Sequence, residues 1–237
     1  MSGKEAGLSG RTGIKICGLS RTCDIEHVNE AMPDYAGFIL HFPRSHRNVT
    51  SQQARELIQH LKPGIRAVGV FVDQPLETVC DTAKAVGLDI IQLHGREDNA
   101  FILNVRERTG LPVWKAFRVR KAEDIGEAAA CAADMVLLDN GYGTGEAFDW
   151  SIVSGAQALL QREFILAGGL TPDTIPEAVR TLRLAAVDLS SGVETDKLKD
   201  RGKIIAAVRA VRNCANYPIH RIIAAVRRIG ALQNLRR

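Results

Sequence analysis

The chain has 237 residues and a net charge of +4, and hydrophobic residues make up 46% of it, which supports a sizeable core and excludes a disordered protein. Its five cysteines, at positions 17, 23, 80, 131 and 214, form no Cys-x-x-Cys pair, so a disulfide framework and a zinc site are both disfavoured. No apolar run is long enough for a membrane-spanning helix or for the core of a signal peptide, and we therefore expect a cytoplasmic protein without a membrane partner.

Short apolar runs recur along the chain, and each is followed by a loop and then by a helical pattern. Most of these runs are apolar without interruption, as in AVGVFV and MVLLD, which is typical of parallel strands that are buried on both faces. The predicted strands span residues 14–17, 35–40, 67–72, 90–94, 113–117, 135–139, 164–167 and 185–189.

Helical patterns with recognisable ends lie between these strands. Thr50 or Ser51 caps one helix, a second helix ends at Gly87, and a third is capped by Thr171 with Pro172 at its first position. The remaining helices are predicted over residues 23–32, 97–108, 122–132, 151–160 and 202–212.

Eight strands that alternate with eight helices predict an α/β protein, a single-domain (β/α)8 TIM barrel over residues 14–212. An open doubly wound sheet is the alternative, but six strands are more usual there and no Gly-x-Gly-x-x-Gly follows the first strand. Residues 1–13 are predicted to be a flexible N-terminal extension. Residues 213–237 are predicted to be a C-terminal extension that is basic and amphipathic. Because active sites of TIM barrels lie at the C-terminal ends of the strands, candidate functional residues are sought there.

The loops after the seventh and eighth predicted strands are rich in glycine and hydroxyl residues, with the sequences AGGLTP and DLSSGVE. Glycines let backbone N–H groups turn towards an anion, and these two loops commonly bind phosphate in this fold. We therefore expect a phosphorylated small molecule to bind there, with an ordinary pair of turns as the alternative. The predicted phosphate-binding residues are Gly168, Gly169, Ser190, Ser191 and Gly192.

Cys17 and Asp139 end the first and sixth predicted strands, and so face each other across the mouth of the barrel. A thiolate can remove a proton from carbon, and a carboxylic acid can protonate an oxygen on the opposite side of a substrate. This pair suits an isomerisation, which needs no redox cofactor. Cys17 could alternatively be a small buried side chain that only fills space. A purely structural role is harder to assign to Asp139, because an unpaired charge at the end of a buried strand costs free energy.

Other polar residues at the strand ends complete the predicted site. Arg44 or Arg47, on the second loop, can bind a substrate carboxylate bidentately or be a solvated loop charge. Gln92 and His94 either line the site or hydrogen-bond neighbouring strands, and Asp188 ends the eighth strand. No metal site is expected, because the histidines of the second loop lack a third ligand at sensible spacing.

The segments KICG, QLHG, AGGLTP and VDLSSGVE, in this order and at these spacings, resemble the phosphoribosylanthranilate isomerase family of tryptophan biosynthesis. The resemblance covers roughly residues 14–212 without a large gap. It implies a (β/α)8 barrel that performs an Amadori rearrangement. The substrate would be N-(5-phosphoribosyl)anthranilate and the product 1-(2-carboxyphenylamino)-1-deoxyribulose 5-phosphate.

The resemblance also implies a role for each candidate residue. Asp139 matches the general acid that protonates the furanose ring oxygen, and Cys17 matches the general base that removes the C2′ proton. Arg47 matches the arginine that holds the anthranilate carboxylate, and Asp188 matches a residue that lines the site. The glycines and serines of the last two loops match the phosphate site, and no cofactor or metal is implied.

Three other functions are disfavoured. A related phosphosugar barrel, such as the isomerase of histidine biosynthesis or a pentose-phosphate epimerase, is expected to carry an aspartate base or a metal site, and Cys17 fits neither. Indole-glycerol-phosphate synthase needs a catalytic lysine at a strand end, whereas Lys115 lies within its strand. A catalytically silent scaffold is disfavoured because Cys17, Arg47 and Asp139 are present together.

Arginines concentrate in the last part of the chain. Residues 204–237 contain seven arginines and no Asp, Glu or Lys, so the first 203 residues carry a net charge of −3 and general nucleic-acid binding is disfavoured. Apolar residues at 219, 222, 223, 226 and 229 predict a basic amphipathic helix. Three arrangements are open for this helix. It packs on the barrel or on a second subunit, it binds an anionic surface or a pathway enzyme, or it is a frayed tail.

If the tail packs on the barrel or on a second subunit, deletion of residues 213–237 removes buried apolar area. We then expect a lower melting temperature or a changed oligomeric state, measured by thermal denaturation and by light scattering. A truncated chain with unchanged melting temperature and unchanged mass would contradict the packing interpretation.

Overall fold

The computed structural model describes residues 11–121, 123–139, 152–153 and 160–214. All eight predicted strands are present, and each begins and ends within one residue of its predicted bounds. They are β1 (Gly13–Cys17), β2 (Tyr35–Leu40), β3 (Arg66–Phe71), β4 (Ile90–Leu93), β5 (Val113–Arg118), β6 (Met135–Asp139), β7 (Phe164–Leu166) and β8 (Leu184–Leu189).

The eight strands form one parallel sheet that closes on itself. Each strand pairs with the next in chain order, and β1 pairs with both β2 and β8. Lys15 lies opposite Asp188 in the β1–β8 pair, and Cys17 lies opposite Gly37 in the β1–β2 pair. Closure confirms the predicted (β/α)8 barrel and excludes the open doubly wound sheet, because an open sheet would leave two unpaired edges.

Seven helices of the described residues pack around the barrel, and the helix predicted over residues 151–160 lies mostly outside the described residues. In this part of the chain no helix has the length and the mean hydropathy that a membrane span requires. The helices are α1 (Thr22–Ala31), α2 (Ser51–Gln59), α3 (Leu76–Val86), α4 (Asn99–Thr109), α5 (Asp124–Ala129), α6 (Ile175–Thr181) and α7 (Arg201–Cys214).

Helix ends agree with the sequence in some places and differ in others. Thr50 caps α2, since its hydroxyl accepts a hydrogen bond from the backbone N–H of Gln53, and α3 ends at Gly87 as predicted. The cap predicted at Thr171 is wrong, because α6 begins only at Ile175. Thr171 instead starts a turn whose carbonyl accepts from the backbone N–H groups of residues 174 and 175. α7 runs to Cys214, two residues past its predicted end.

The two faces of each strand have different surroundings. Ile14 and Ile16 belong to the large apolar layer between the strands and the helices. Lys15 and Cys17 alternate with them and therefore lie inside the barrel. The lower part of the interior is filled by a second apolar cluster, which includes Tyr35, Val68, Ile90, Trp114 and Ile165. The polar upper part, at the C-terminal ends of the strands, is where the site lies.

Asp34, just before β2, ties the two ends of the described chain together. Its carboxylate accepts hydrogen bonds from Arg11 at 2.6 Å, from Arg212 at 3.0 Å and from the backbone N–H of Ile14 at 2.9 Å. The Asp34 side chain is only 10% exposed, so these partners replace the water that the carboxylate loses. The start of β1 and the end of α7 are thereby fixed to the N-terminal end of the barrel.

We expect Asp34→Ala to lower the free energy of unfolding by about 2–3 kcal/mol, because it leaves two arginines and a backbone N–H without their shared acceptor. Urea denaturation followed by circular dichroism measures the change. Asp173→Ala, at an exposed position of the loop before α6, is the control and should change stability by less than about 0.5 kcal/mol. Equal effects of the two substitutions would contradict the proposed tie.

Candidate active site

A cavity of about 300 Å³ opens at the C-terminal ends of the strands, where the fold predicts the active site. Apolar residues of β2 and β3, including Ile39 and Val70, form part of its wall. All of the site residues predicted from the sequence line this one cavity. They are Cys17, Arg47, Gln92, His94, Asp139, Gly168, Gly169, Asp188, Ser190, Ser191 and Gly192.

Cys17 is the last residue of β1 and is 8% exposed. Burial raises the pKa of its thiol, and the positive charge of Lys15 opposes that rise. The backbone carbonyl of Cys17 accepts a hydrogen bond from the Ser190 hydroxyl at 3.1 Å, which links β1 to the loop after β8. The thiol is thus held at the floor of the cavity, in a site with little water.

Lys15 was not predicted as a site residue. Its ammonium group is fully buried, 3.0 Å from each carboxylate oxygen of Asp188. Burial alone would lower the pKa of Lys15, but the charges of Asp188 and Cys17 outweigh it and the pKa is raised. Asp188 therefore lines the cavity as predicted, and its carboxylate is already engaged by a lysine. The signal in the sequence was a charged residue in the middle of the apolar run GIKIC.

Asp139, His94 and Gln92 form a connected group on β6 and at the end of β4. The Nε2 atom of His94 is 3.5 Å from a carboxylate oxygen of Asp139, and its Nδ1 atom is 3.2 Å from the amide nitrogen of Gln92. The contact with Gln92 orients the imidazole ring so that its Nε2 atom faces Asp139. The amide oxygen of Gln92 is buried without a hydrogen-bond partner among the described residues. Gln92 can therefore accept a hydrogen bond from a bound molecule.

Arg47, on the loop after β2, is held by a residue that sequence reasoning missed. Its Nε and Nη2 atoms each donate to Glu194 at 2.7 Å, and the ammonium group of Lys199 also contacts Glu194. Because a guanidinium has five N–H groups, three remain for a carboxylate of a bound molecule. Glu194 ends the motif VDLSSGVE, so its place beside the site loop was the available signal.

The loops after β7 and β8 touch each other at the cavity. Gly168 and Gly169 have positive φ angles of 89° and 64°. A side-chain carbon at Gly192 would lie only 1.8 Å from the carbonyl oxygen of Leu170, so only glycine allows this approach. The Ser190 and Ser191 hydroxyls stand beside these glycines in the cavity lining. Backbone N–H groups of both loops and the Ser191 hydroxyl thereby lie near one another, where a single anion can meet them.

Other candidates weighed from the sequence do not join the cavity. His41 contacts the Thr82 hydroxyl at 2.9 Å and stacks on Phe71. Lys115 is buried against the carbonyl oxygen of Gly95 at 2.6 Å and Glu97 at 3.3 Å. In the part of the chain that the structure describes, no three His, Cys, Asp or Glu side chains are grouped as metal ligands.

The family model for N-(5'-phosphoribosyl)anthranilate isomerase matches residues 14–210. The chain belongs to this family. A relative of that name from Clostridium kluyveri is 42% identical over 201 residues, which are 84% of this chain and 98% of the relative. The relative from Caldanaerobacter subterraneus subsp. tengcongensis is 41% identical over 206 residues, covering 84% and 97%.

Solved structures of the isomerase family share the barrel. The enzyme from Thermotoga maritima superposes with a TM-score of 0.78 at 33% identity, over 85% of this chain and 99% of that one. Another phosphoribosyl anthranilate isomerase, with a TM-score of 0.76 at 32% identity over 85% and 99% of the two chains, was crystallised with reduced 1-(o-carboxyphenylamino)-1-deoxyribulose 5-phosphate. The sequence-based assignment to this family is confirmed.

Glu194 provides a test of the charged group around Arg47. Burial alone would raise the pKa of Glu194, but the hydrogen bonds from Arg47 and Lys199 outweigh it and hold the pKa below its usual range. The ionised carboxylate therefore stabilises the fold above the unfolded-state pKa of about 4.3, and this stabilisation is lost as pH falls through the lower folded-state pKa. We expect Glu194→Gln to be less stable than wild type near neutral pH, with a gap that narrows at acid pH.

Urea denaturation at about pH 7 and about pH 4 measures both gaps. Glu177→Gln, on the exposed side of α6, is the matched control and should show little difference at either pH. A gap for Glu194→Gln that stays constant or widens in acid would show that the charge of Glu194 does not stabilise the site.

Proposed function

We propose that the chain isomerises N-(5'-phosphoribosyl)anthranilate in tryptophan biosynthesis, with Asp139 as general acid and Cys17 as general base. Family membership supports the substrate and the reaction. The single observation that carries the residue roles is that both side chains line one cavity, at the ends of β1 and β6, together with the two glycine-rich loops.

Asp139 starts the reaction by protonating the furanose ring oxygen. The C1′–O bond breaks as the anilino nitrogen supplies its electron pair, which gives a ring-opened Schiff base. His94 lies close enough to Asp139 to support this step, because its Nε2 atom is 3.5 Å from the carboxylate that remains after proton transfer.

Cys17 completes the isomerisation. Its thiolate removes the proton from C2′, the electron pair of that C–H bond forms a C1′=C2′ double bond, and the π pair of the C1′=N bond returns to nitrogen to give an enolamine. The enolamine tautomerises to the ketone when C1′ takes up a proton and the hydroxyl on C2′ loses one. The substrate as a whole is neither oxidised nor reduced in this isomerisation. Acid and base groups therefore suffice for the proposed chemistry.

The rest of the cavity supports binding of the two ends of the substrate. Arg47 binds the anthranilate carboxylate through the N–H groups that Glu194 leaves free. Gly168, Gly169, Ser190, Ser191 and Gly192 bind the phosphate through backbone N–H groups and the Ser191 hydroxyl, because the Ser190 hydroxyl donates to the carbonyl of Cys17. The free amide oxygen of Gln92 accepts from a substrate hydroxyl or from the anilino N–H.

We also propose that the enzyme works in the cytoplasm. All five cysteines, at positions 17, 23, 80, 131 and 214, are free thiols, as a reducing compartment would keep them. A homo-oligomeric or pathway-enzyme contact through residues 213–237 stays a proposal, because those residues lie almost wholly outside the described part of the chain.

The proposed roles predict large losses of activity in two variants. Cys17→Ser replaces the base with a far weaker acid–base group, and Asp139→Asn removes the proton of the acid; each should lower kcat at least ~100-fold. The measurement is the loss of anthranilate-type fluorescence after fresh phosphoribosylanthranilate is added, with free anthranilate quantified because the substrate also hydrolyses unaided.

Two matched controls make the same Cys→Ser and Asp→Asn substitutions at positions outside the cavity. Cys80→Ser replaces another buried thiol, on α3, and Asp134→Asn changes the carboxylate at the opposite end of β6 from Asp139. Both should keep most of the wild-type kcat. Turnover near wild type in Cys17→Ser or Asp139→Asn would remove that residue from its role, and no turnover by folded wild type would refute the proposed reaction.

A further inference from the structure

The buried ion pair of Lys15 and Asp188 beneath the cavity is not explained by a contribution to folding stability. Lys15 and Asp188 are 0% and 8% exposed, and burying two charges costs desolvation that their mutual attraction only partly offsets. An apolar side chain at each position would fill the interior without that cost. Lys15 lies two residues before Cys17 on the same face of β1, so its charge is directed at the thiol.

Gly37 of β2 creates the space in which these two side chains meet. It lies opposite Cys17 in the sheet. A side-chain carbon at Gly37 would lie 2.9 Å from the Lys15 ammonium nitrogen and 3.0 Å from the Cys17 sulfur. The nitrogen and the sulfur are therefore within about 6 Å of each other, a range in which an opposite charge stabilises an ionised group strongly.

We propose that Lys15 is a positioning residue for the isomerisation: its ammonium group, fixed by Asp188 inside the barrel, stabilises the thiolate of Cys17. The inference rests on the proposed role of Cys17 as general base. Lys15 does not touch the substrate in this assignment; it acts through the sulfur. Asp188 keeps Lys15 charged and in place, although its own negative charge works against the thiolate.

The charged groups that face Cys17 come from four parts of the fold. Lys15 and Asp188 lie below it on β1 and β8, and Lys199 and Arg47 approach from the loops after β8 and β2. Burial raises the pKa of the thiol, Lys15 and Lys199 lower it, and Asp188 raises it. Removal of the Lys15 charge must therefore make Cys17 harder to ionise, whereas removal of Asp188 also takes away the partner that keeps Lys15 charged and gives no clean test.

Alkylation of Cys17 by iodoacetamide tests this without substrate, because only the thiolate reacts. The rate is followed against pH by mass spectrometry of the peptide that contains residue 17. Lys15→Met should move the midpoint of the pH profile upwards and slow alkylation at about pH 8 by roughly 10-fold or more, since one pKa unit is a factor of ten. Lys15→Gln, which keeps a hydrogen-bond donor for Asp188 but carries no charge, should move the midpoint upwards as well.

Lys84→Met, at an exposed position of α3, is the matched control and should leave the midpoint unchanged. The direction of the midpoint separates a charge effect from a loosened barrel, which would speed alkylation at every pH in both variants. If Lys15→Met does not fold, the Lys15→Gln midpoint decides alone. A wild-type or lowered midpoint in either folded variant would overturn the proposal.

The same variants connect the inference to turnover. In Lys15→Met the acid limb of the kcat/KM profile should shift upwards with the alkylation midpoint, whereas a merely structural role would lower kcat/KM equally at every pH. The two proposals fail separately. A Cys17→Ser variant with full turnover would refute the base role while leaving the alkylation shifts intact, and absent alkylation shifts would refute the Lys15 role alone.

Discussion

The pairing of β1 with β8 is the constraint on which the rest of the molecule depends. It closes the sheet, and in doing so it sets Lys15 against Asp188, while the pairing of β1 with β2 sets Cys17 against Gly37. Neither contact exists along one strand, because each needs two neighbouring strands in one register. A slip of one residue would turn Lys15 and Cys17 out of the barrel and into the apolar layer beneath the helices, where neither has a partner.

Charge in the cavity is divided into separately balanced groups. Lys15 is balanced by Asp188, Arg47 and Lys199 share Glu194, and His94 lies beside Asp139. These ion pairs fix the charged groups of the cavity in place before any molecule binds, and in the proposed reaction Arg47 meets the substrate carboxylate from such a fixed position. Fixed dipoles and charges cost no reorganisation during proton transfer, which is the main source of electrostatic stabilisation in enzymes.

The barrel and most of the site could be predicted from the sequence for one reason: strand ends in a closed parallel sheet share one rim, so residues 17, 92, 139 and 188 had to meet. Lys15 was missed because its partner is set by strand register, and Lys15 and Asp188 are 173 positions apart. Glu194 and Lys199 were missed because a short hairpin, formed by the antiparallel strands Glu194–Thr195 and Leu198–Lys199, brings them together. The start of α6 was misplaced because Thr171 and Thr174 both carry a hydroxyl that could cap a helix. The turn formed by residues 171–175 determines which of the two precedes the helix, and this turn is not evident from the sequence.

The tie at Asp34 gives the barrel a direction that matters for anything attached to it. Arg11 and Arg212 meet the same carboxylate before β2, so both ends of the described chain emerge at the N-terminal end of the barrel, opposite the mouth. A domain or a tag inserted next to Arg11 or Arg212 would therefore start at the end of the barrel that lies away from the path of substrate and product. The catalytic face and the face available for tethering are, in this fold, two different ends of one cylinder.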